Sequence, residues 1–242
     1  MKPAANILVL TVAGILGGCA AAGPQMRAAP PPMPALPASA SAHETLAPQN
    51  ESSLYLNLID GLIAQQRYGA ALAFLDDYAL KQSDPGPRYW MLRGDALLGS
   101  GRGEEAGPVY AKLEATPLAA EGWNGRGRVA ASLRQWKEAE ILFAKAVQIR
   151  PTNPQFLNNL AFAKIHLRQG AEAAFDLRQA HELDPNSVLI RNNFIVALNL
   201  AGDPASAERV LGEIKNADER ERVRDFAKKT VARDGIPEGE KS

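Results

Sequence analysis

The sequence predicts an all-α protein, a solenoid of about five helix pairs with one further helix at its C-terminal end. Helix formers, above all Ala and Leu, are abundant, whereas aromatic residues make up only 6% of the 242 residues. The sequence lacks runs rich in Val, Ile, Thr and aromatics, which would indicate strands. Alanine also recurs at intervals of 33 to 35 residues, at Ala71, Ala106, Ala139, Ala173 and Ala207. A near-constant interval of this length is typical of stacked helical repeats.

The first 18 residues are typical of a signal peptide. Lys2 gives a short positive start, and an apolar run of ten residues follows at positions 7–16. A helix that spans a bilayer needs about 20 apolar residues, so this run is too short to be a transmembrane segment. We therefore expect residues 1–18 to be removed when the protein is exported.

The sequence Leu16-Gly17-Gly18-Cys19 resembles the lipobox of bacterial lipoproteins, which has an aliphatic residue, two small residues and a cysteine. The resemblance implies cleavage before Cys19, diacylation of its sulfur and acylation of the new N-terminus, so that the chain is anchored to the lipid bilayer. Ala20 follows instead of the Asp that favours inner-membrane retention, which implies the periplasmic face of the outer membrane. The alternative is an ordinary signal peptide followed by a chance cysteine, but no second cysteine exists to form a disulfide.

The composition of residues 19–50 predicts a tether rather than a folded domain. Seven prolines fall between residues 20 and 50, and Ala and Ser fill most of the remaining positions. This composition buries too little apolar surface to fold, and it favours an extended, disordered spacer. The repeats follow over residues 51–217, with units that start near residues 52, 87, 120, 154 and 188.

These units resemble the tetratricopeptide repeat, in which about 34 residues form two antiparallel helices. Four units open their first helix with a large residue, at Tyr55, Trp90, Trp123 and Leu157. A small residue four positions later lets the helices cross closely, at Gly94, Gly127 and Ala161. Two second helices end at proline, at Pro151 and Pro185. The resemblance implies a right-handed superhelix whose first helices line a concave inner face.

The residue pattern over positions 218–234 predicts a C-terminal capping helix. Val223, Phe226, Ala227 and Val231 form one apolar stripe, and the remaining faces are charged. A solenoid needs a terminal cap with a polar outer side, and this helix has that character. A helix that binds a partner is the alternative interpretation. Residues 235–242 are predicted to be a disordered tail.

The candidate binding residues lie on the predicted inner face of the last three repeats. They are Asn124, Arg128, Asn158, Phe162, Ile165, His166, Asn192 and Val196. Asn124, Asn158 and Asn192 recur at the repeat length, so they would stack as a ladder whose carboxamides pair with the backbone of a bound peptide. The apolar members would hold the side chains of that peptide. In the alternative interpretation, the asparagines form local hydrogen bonds between helices.

The sequence offers no candidate for catalysis, a cofactor or a metal. The three histidines, His43, His166 and His181, have no cysteine or acidic pair at ligand spacing, and no phosphate-binding loop or zinc motif occurs. Lys plus Arg and Asp plus Glu balance at 27 each, so no net charge attracts nucleic acid. We therefore expect a protein partner, with no nucleic acid and no small-molecule substrate. A hydrolase with an unrecognised site is a remote alternative.

A lipobox, a proline-rich tether and about five repeats together resemble the TadD-type lipoproteins of Tad/Flp pilus assembly and the pilotins of related secretion systems. The resemblance implies a scaffold that binds a secretin subunit and helps it to assemble at the outer membrane. Repeat lipoproteins that organise peptidoglycan hydrolases or outer-membrane barrel assembly are the alternative. Genomic neighbours would distinguish the two, because pilus ATPase and secretin genes favour the first.

Overall fold

A computed structural model describes residues 48–233 of the chain. Within this range there are eleven helices and no strand, which confirms the predicted all-α fold. In chain order the helices are α1 (Pro48–Ala64), α2 (Tyr68–Lys81), α3 (Gly86–Gly99), α4 (Gly103–Ala111), α5 (Ala119–Ser132), α6 (Trp136–Ile149), α7 (Pro154–His166), α8 (Gly170–Leu183), α9 (Val188–Leu200), α10 (Pro204–Leu211) and α11 (Ala217–Arg233). The first ten helices form five antiparallel pairs, called repeats one to five below.

The predictions for residues 1–47 and 234–242 lie outside the described residues. These predictions include the signal peptide, Cys19, most of the tether and the C-terminal tail. At the boundary, α1 begins at Pro48, so three residues of the predicted tether are helical. Proline suits the first position of a helix, because its ring fixes a helical φ and its missing N–H would have no partner there. Among the helices described, none is both long and apolar enough to span a bilayer.

Small residues let the helices of the stack approach closely. The five recurrent alanines near the starts of the second helices are at most 1% exposed. An added Cβ at Gly127 would come within 2.6 Å of the Phe143 ring, so a larger residue there would push α5 and α6 apart. The ring of Tyr110 lies against both Gly94 and Gly125 in the same way. Glycine at these positions therefore sets the close distance between the helices of repeats two and three.

Odd-numbered and even-numbered helices form two layers. Each odd-numbered helix contacts the next odd-numbered helix, from α1 through to α11. No two even-numbered helices of the described chain contact each other. Because one layer is packed more closely than the other, the stack curves with the odd-numbered helices inside. The inner face is therefore lined by α1, α3, α5, α7 and α9.

The core is continuous in the C-terminal repeats and divided in the N-terminal ones. One cluster of buried side chains extends from Leu157 in α7 to Ala227 in α11. The earlier repeats have smaller clusters, one around Leu75 and Tyr89 and another around Tyr110. The C-terminal repeats therefore share one apolar core, whereas the apolar core of the earlier repeats is divided into separate clusters.

Helix α11 covers the C-terminal end of this core. Val223 and Ala227 are buried in the last cluster, as the capping interpretation requires. Phe226, which the sequence places on the same stripe, is instead 58% exposed. Since α11 lies mainly against α9 and barely touches the short α10, its buried side is narrower than the predicted stripe. On its outer side, Arg224 binds Glu208 of α10 through two hydrogen bonds of 2.8 and 2.9 Å.

Candidate partner-binding groove

The inner face carries one residue from each repeat at an equivalent place. These residues are Asp60, Asp95, Arg128, Phe162 and Val196, at intervals of 33 to 35 residues. Asp60 and Phe162 are exposed, Asp95 and Arg128 are half-buried, and Val196 is buried. A segment that follows the groove would therefore meet charged groups in repeats one to three and an aromatic ring in repeat four.

A shared carboxylate oxygen links repeats two and three on this face. Arg128 donates through Nη1 to Asp95 Oδ1 over 2.6 Å, and the Tyr110 hydroxyl donates to the same oxygen over 2.8 Å. Tyr110 is 1% exposed, and burial, followed by the nearby Asp95 carboxylate, raises the pKa of its hydroxyl far above the ordinary value. Tyr110 therefore stays protonated and holds Asp95 in place, while the Arg128 side chain remains 40% exposed to the groove.

The asparagine ladder differs from the predicted one. Asn124 Oδ1 accepts a hydrogen bond from Asn159 Nδ2 over 2.8 Å, and Asn158 Oδ1 accepts one from Asn193 Nδ2 over 2.9 Å. Each bond joins the first helices of two consecutive repeats, which is the local bonding of the alternative interpretation. Asn158 is only 4% exposed, so the prediction that it contacts a bound peptide is wrong. Asn192 Oδ1 is also buried, and it has no hydrogen-bond partner among the described residues.

Two other predicted groove residues lie in the core. Ile165 is 4% exposed and Val196 is 3% exposed, and both belong to the cluster that joins repeats four and five. Their repeat positions indicated the inner face correctly, but α7 and α9 pack directly against each other there. These side chains stabilise the stack, and the prediction that they contact a partner is corrected.

Phe162 and His166 remain accessible, and they form an aromatic cluster with Trp136. Trp136 stacks on His166, with ring centroids 3.8 Å apart and an angle of 4° between the planes. Phe162 meets both rings edge-on, with centroids 5.8 Å from Trp136 and 4.7 Å from His166. Phe162 is 38% exposed and the other two are half-buried. The cluster therefore presents ring surface that suits an apolar or aromatic side chain.

The contact between Trp136 and His166 is one instance of a contact that recurs along the stack. At each junction, the first residue of a second helix lies beside the last residue of the next first helix. The four pairs are Tyr68–Gly99, Gly103–Ser132, Trp136–His166 and Gly170–Leu200. In the first pair the tyrosine ring covers the glycine, and in the last the Leu200 backbone comes within 2.6 Å of an added Cβ at Gly170. These two junctions and the stacked one are filled.

The junction between repeats two and three combines two small residues and leaves a cavity of about 490 Å³. An added Cβ at Gly103 would meet nothing nearer than Ser132 Oγ at 3.5 Å. Leu98 and Leu133 supply apolar walls, and Leu133 is 49% exposed at the opening. The cavity is therefore a half-open depression whose volume would admit a side chain of a partner.

The edge of this junction cavity is polar. Arg102 and Glu105 line it and are paired through two hydrogen bonds of 2.6 Å. Leucine side chains beside charged groups offer a partner both apolar contact and hydrogen bonds. In residues 48–233, no three His, Cys, Asp or Glu side chains are grouped to hold a metal ion. The groove has the features of a binding surface.

The sequence-based prediction lacks four residues that matter here: Asn159 and Asn193 on the inner face, and Gly103 and Trp136 at the junctions between repeats. Asn159 and Asn193 were detectable, because they recur at 34 residues directly after Asn158 and Asn192. The sequence indicates Trp136 less clearly: it is a bulky residue at the position where repeats two and four have Gly103 and Gly170. The importance of Gly103 depends on which residue it faces across the junction, and the spacing within one repeat does not contain that information.

The fold and the groove define a helical-repeat protein suited to protein–protein interaction. Comparisons with known proteins agree: tetratricopeptide-repeat models match residues 56–117 and residues 120–153. A TPR repeat-containing protein of Pseudomonas aeruginosa is 28% identical over 204 residues, which covers 84% of this chain and 76% of the relative. The chain therefore contains recognisable tetratricopeptide repeats.

Solved structures show the same fold. A thermophilic TPR protein of Thermus thermophilus superposes with a TM-score of 0.60 at 18% identity, covering 75% of this chain and 99% of the other. MamA from Desulfovibrio magneticus RS-1 gives a TM-score of 0.55 at 21% identity, with coverages of 73% and 98%. At these identities the likeness concerns architecture, and it establishes the tetratricopeptide-repeat solenoid.

Proposed function

We propose that the protein is a lipid-anchored scaffold that holds a segment of a protein partner along its inner face. Its client in this proposal is a secretin subunit, which the scaffold helps to assemble at the outer membrane during Tad/Flp pilus biogenesis. The observation that carries the binding role is the junction cavity between repeats two and three, open beside Leu133, with the aromatic cluster at the next junction. A half-open depression beside exposed ring surface suits a polypeptide that inserts one large side chain and lays others on the rings.

Three sequence features support the proposed anchoring and client. The lipobox-like residues that end at Cys19 would attach the chain to a bilayer, and the proline-rich tether would hold the repeats away from it. The tetratricopeptide-type repeats are suited to binding a protein partner. In this mechanism the lipid sets the location, and the groove retains the secretin segment until the subunits oligomerise.

The groove is tested by filling its cavity. Gly103→Tyr would place a ring in the cavity beside Ser132, at the position that Tyr68 has at the first junction. The matched control is Gly107→Tyr on the same helix, where an added Cβ meets nothing within 4 Å. Tagged full-length variants are solubilised from the envelope, and captured proteins are quantified by mass spectrometry.

We expect Gly103→Tyr to lower capture of the client by roughly tenfold or more, since the loss of a buried anchor is a hot-spot effect. Gly107→Tyr should capture as much client as the wild type. Equal capture by both variants would refute the cavity as the binding site. Capture of peptidoglycan hydrolases or of barrel-assembly proteins, in place of a secretin, would keep the binding role and replace the client.

The anchor is tested separately by Cys19→Ala. If the sulfur of Cys19 carries the acyl chains, this variant should move from the membrane fraction to the soluble fraction on ultracentrifugation. Phe226→Ala, a change of an exposed residue far along the chain, is the control and should stay in the membrane fraction. A Cys19→Ala protein that still sediments with membranes would contradict the lipid anchor without affecting the groove.

A further inference from the structure

Helix α1 carries an apolar stripe that repeats four and five bury. In α7 the residues Phe156, Leu160 and Ala163, spaced by four and then three positions, are at most 6% exposed. In α9 the equivalent residues Ile190, Phe194 and Ala197 are also at most 6% exposed. These two stripes share apolar clusters with the preceding second helices, α6 and α8. The stripe is thus the surface by which a first helix joins the helix pair before it.

The equivalent stripe of α1 is Leu54, Leu58 and Gly61. Leu54 is 55% exposed and Leu58 is 51% exposed, and an added Cβ at Gly61 would meet nothing within 4 Å. Its composition matches the buried stripes, which have two large apolar residues followed by one small residue. The contrast with the C-terminal end is direct, because α11 covers that end of the stack. None of the other described residues covers this stripe, which leaves it open to a partner.

We infer that the α1 stripe is a dimerisation surface that a second copy of this chain occupies, with the two α1 helices packed antiparallel. A two-fold axis near Leu58 places the Leu54 side chain of each copy in the notch that Gly61 leaves on the other copy. The symmetry makes this contact twice. The ends are also complementary, since the axis brings Glu51 at the start of one stripe close to Gln65 and Arg67 beyond the end of the other. The partner helix then continues the interface that already joins one repeat to the next.

The proline-rich segment before α1 is a poor alternative occupant. A helix is what covers this stripe in repeats four and five, and proline in a helix interior removes a hydrogen bond and clashes with the preceding turn. Six prolines lie between residues 20 and 47. A second copy, in contrast, always supplies a helix with the matching stripe. This inference is independent of the proposed groove, which lies on other residues.

The test uses the full-length chain in the cell envelope and a short bis-maleimide that joins thiols across a dimer axis. Leu58→Cys should give a cross-linked product of twice the monomer mass, well above the wild-type background. Leu183→Cys is the matched control, because Leu183 is similarly exposed, at 46%, but lies on α8. This control should give no product beyond the wild-type background.

A second change separates the interface from folding. Gly61→Leu added to Leu58→Cys fills the notch that Leu54 of the other copy needs, so the dimer product should fall at least fivefold. The same change leaves the monomer intact, because the added side chain points into open space and Leu is a better helix former than Gly. Its thermal unfolding midpoint should therefore equal or exceed that of the wild type.

Three outcomes would overturn the inference. A Leu58→Cys product of another mass would mean that a different protein covers the stripe. No product, with a thiol that fails to react with a monofunctional maleimide, would mean that the stripe is covered by the chain's own remaining residues or by a partner without a nearby thiol. No product with a fully reactive thiol would mean that the stripe is bare.

Discussion

Repeats four and five share a single apolar cluster with α11, extending from Leu157 to Ala227, whereas repeats one to three are divided among smaller clusters. The polar contacts between repeats are also more deeply buried in the C-terminal region than in the N-terminal region. The buried Asn158 amide joins repeats four and five through Asn193, while the half-exposed Arg128–Asp95 ion pair joins repeats two and three. Buried hydrogen bonds in a continuous core are costly to break, whereas exposed ion pairs contribute little. The C-terminal repeats should therefore open as one unit, and the N-terminal repeats separately and more readily.

The largest effects should come from shortening matched core leucines in the two regions. Leu177 and Leu75 occupy equivalent places in repeats four and one, and both are 0% exposed. Each change to Ala should lower the local stability by about 2 to 5 kcal/mol, because it leaves a cavity. Hydrogen exchange should show a loss of protection across α7 to α11 for Leu177→Ala. For Leu75→Ala the loss should be confined to α1, α2 and α3. A uniform loss in both variants would mean that the chain unfolds as a single unit.

A smaller effect is expected for Asn158→Ala, which leaves the partly buried Asn193 amide without its acceptor. The unfolding free energy should fall by about 1 to 3 kcal/mol, measured by urea denaturation. The companion change, Asn124→Ala, acts on the Asn124–Asn159 pair, in which Asn124 is half-buried, and should cost less because water can replace the lost partner. If Asn124→Ala proves to be the more destabilising change, the contrast between buried and exposed links is incorrect.

The smallest effect is expected for Arg128→Gln. This change removes the ion pair with Asp95 but leaves the Tyr110 hydroxyl to satisfy the carboxylate. The loss of stability should be about 0.2 to 1 kcal/mol, as for exposed ion pairs in general. It should also diminish in 1 M salt, where the Debye length is about 3 Å. A loss that is unchanged by salt would show that Arg128 acts through packing rather than through charge.

The sequence predicts the order and pairing of the helices well, because each repeat carries its own spacing information. Ala71 and Ala173, for example, are buried where the pattern requires small residues between paired helices. The predicted start of α1 is three residues too late, since a segment rich in proline gives no sign that Pro48 begins a helix. Phe226 is predicted on the buried stripe because periodicity gives a face of α11 but not how much of it the neighbouring helices cover.

The groove is less predictable than the fold. Repeat position indicates the side of a helix, but it does not indicate how closely the next helix approaches, and so the pattern wrongly predicts Ile165 and Val196 to be accessible. The cavity depends on two residues from different repeats, Gly103 and Ser132, each unremarkable alone. Contacts between repeats decide which inner-face residues are open, and a pattern within one repeat cannot supply them.

The buried oxygen of Asn192 has a consequence for how such a chain can grow. Asn124 and Asn158 each receive a donor from the following repeat, and Asn192 stands where the next donor would arrive, with no partner among the described residues. Internal duplication of the fifth repeat would bring a copy of the Asn193 amide to that oxygen. The Asn192 oxygen beneath α11 could thus accept a hydrogen bond from a sixth repeat of the same sequence, with no change to the residues of repeat five.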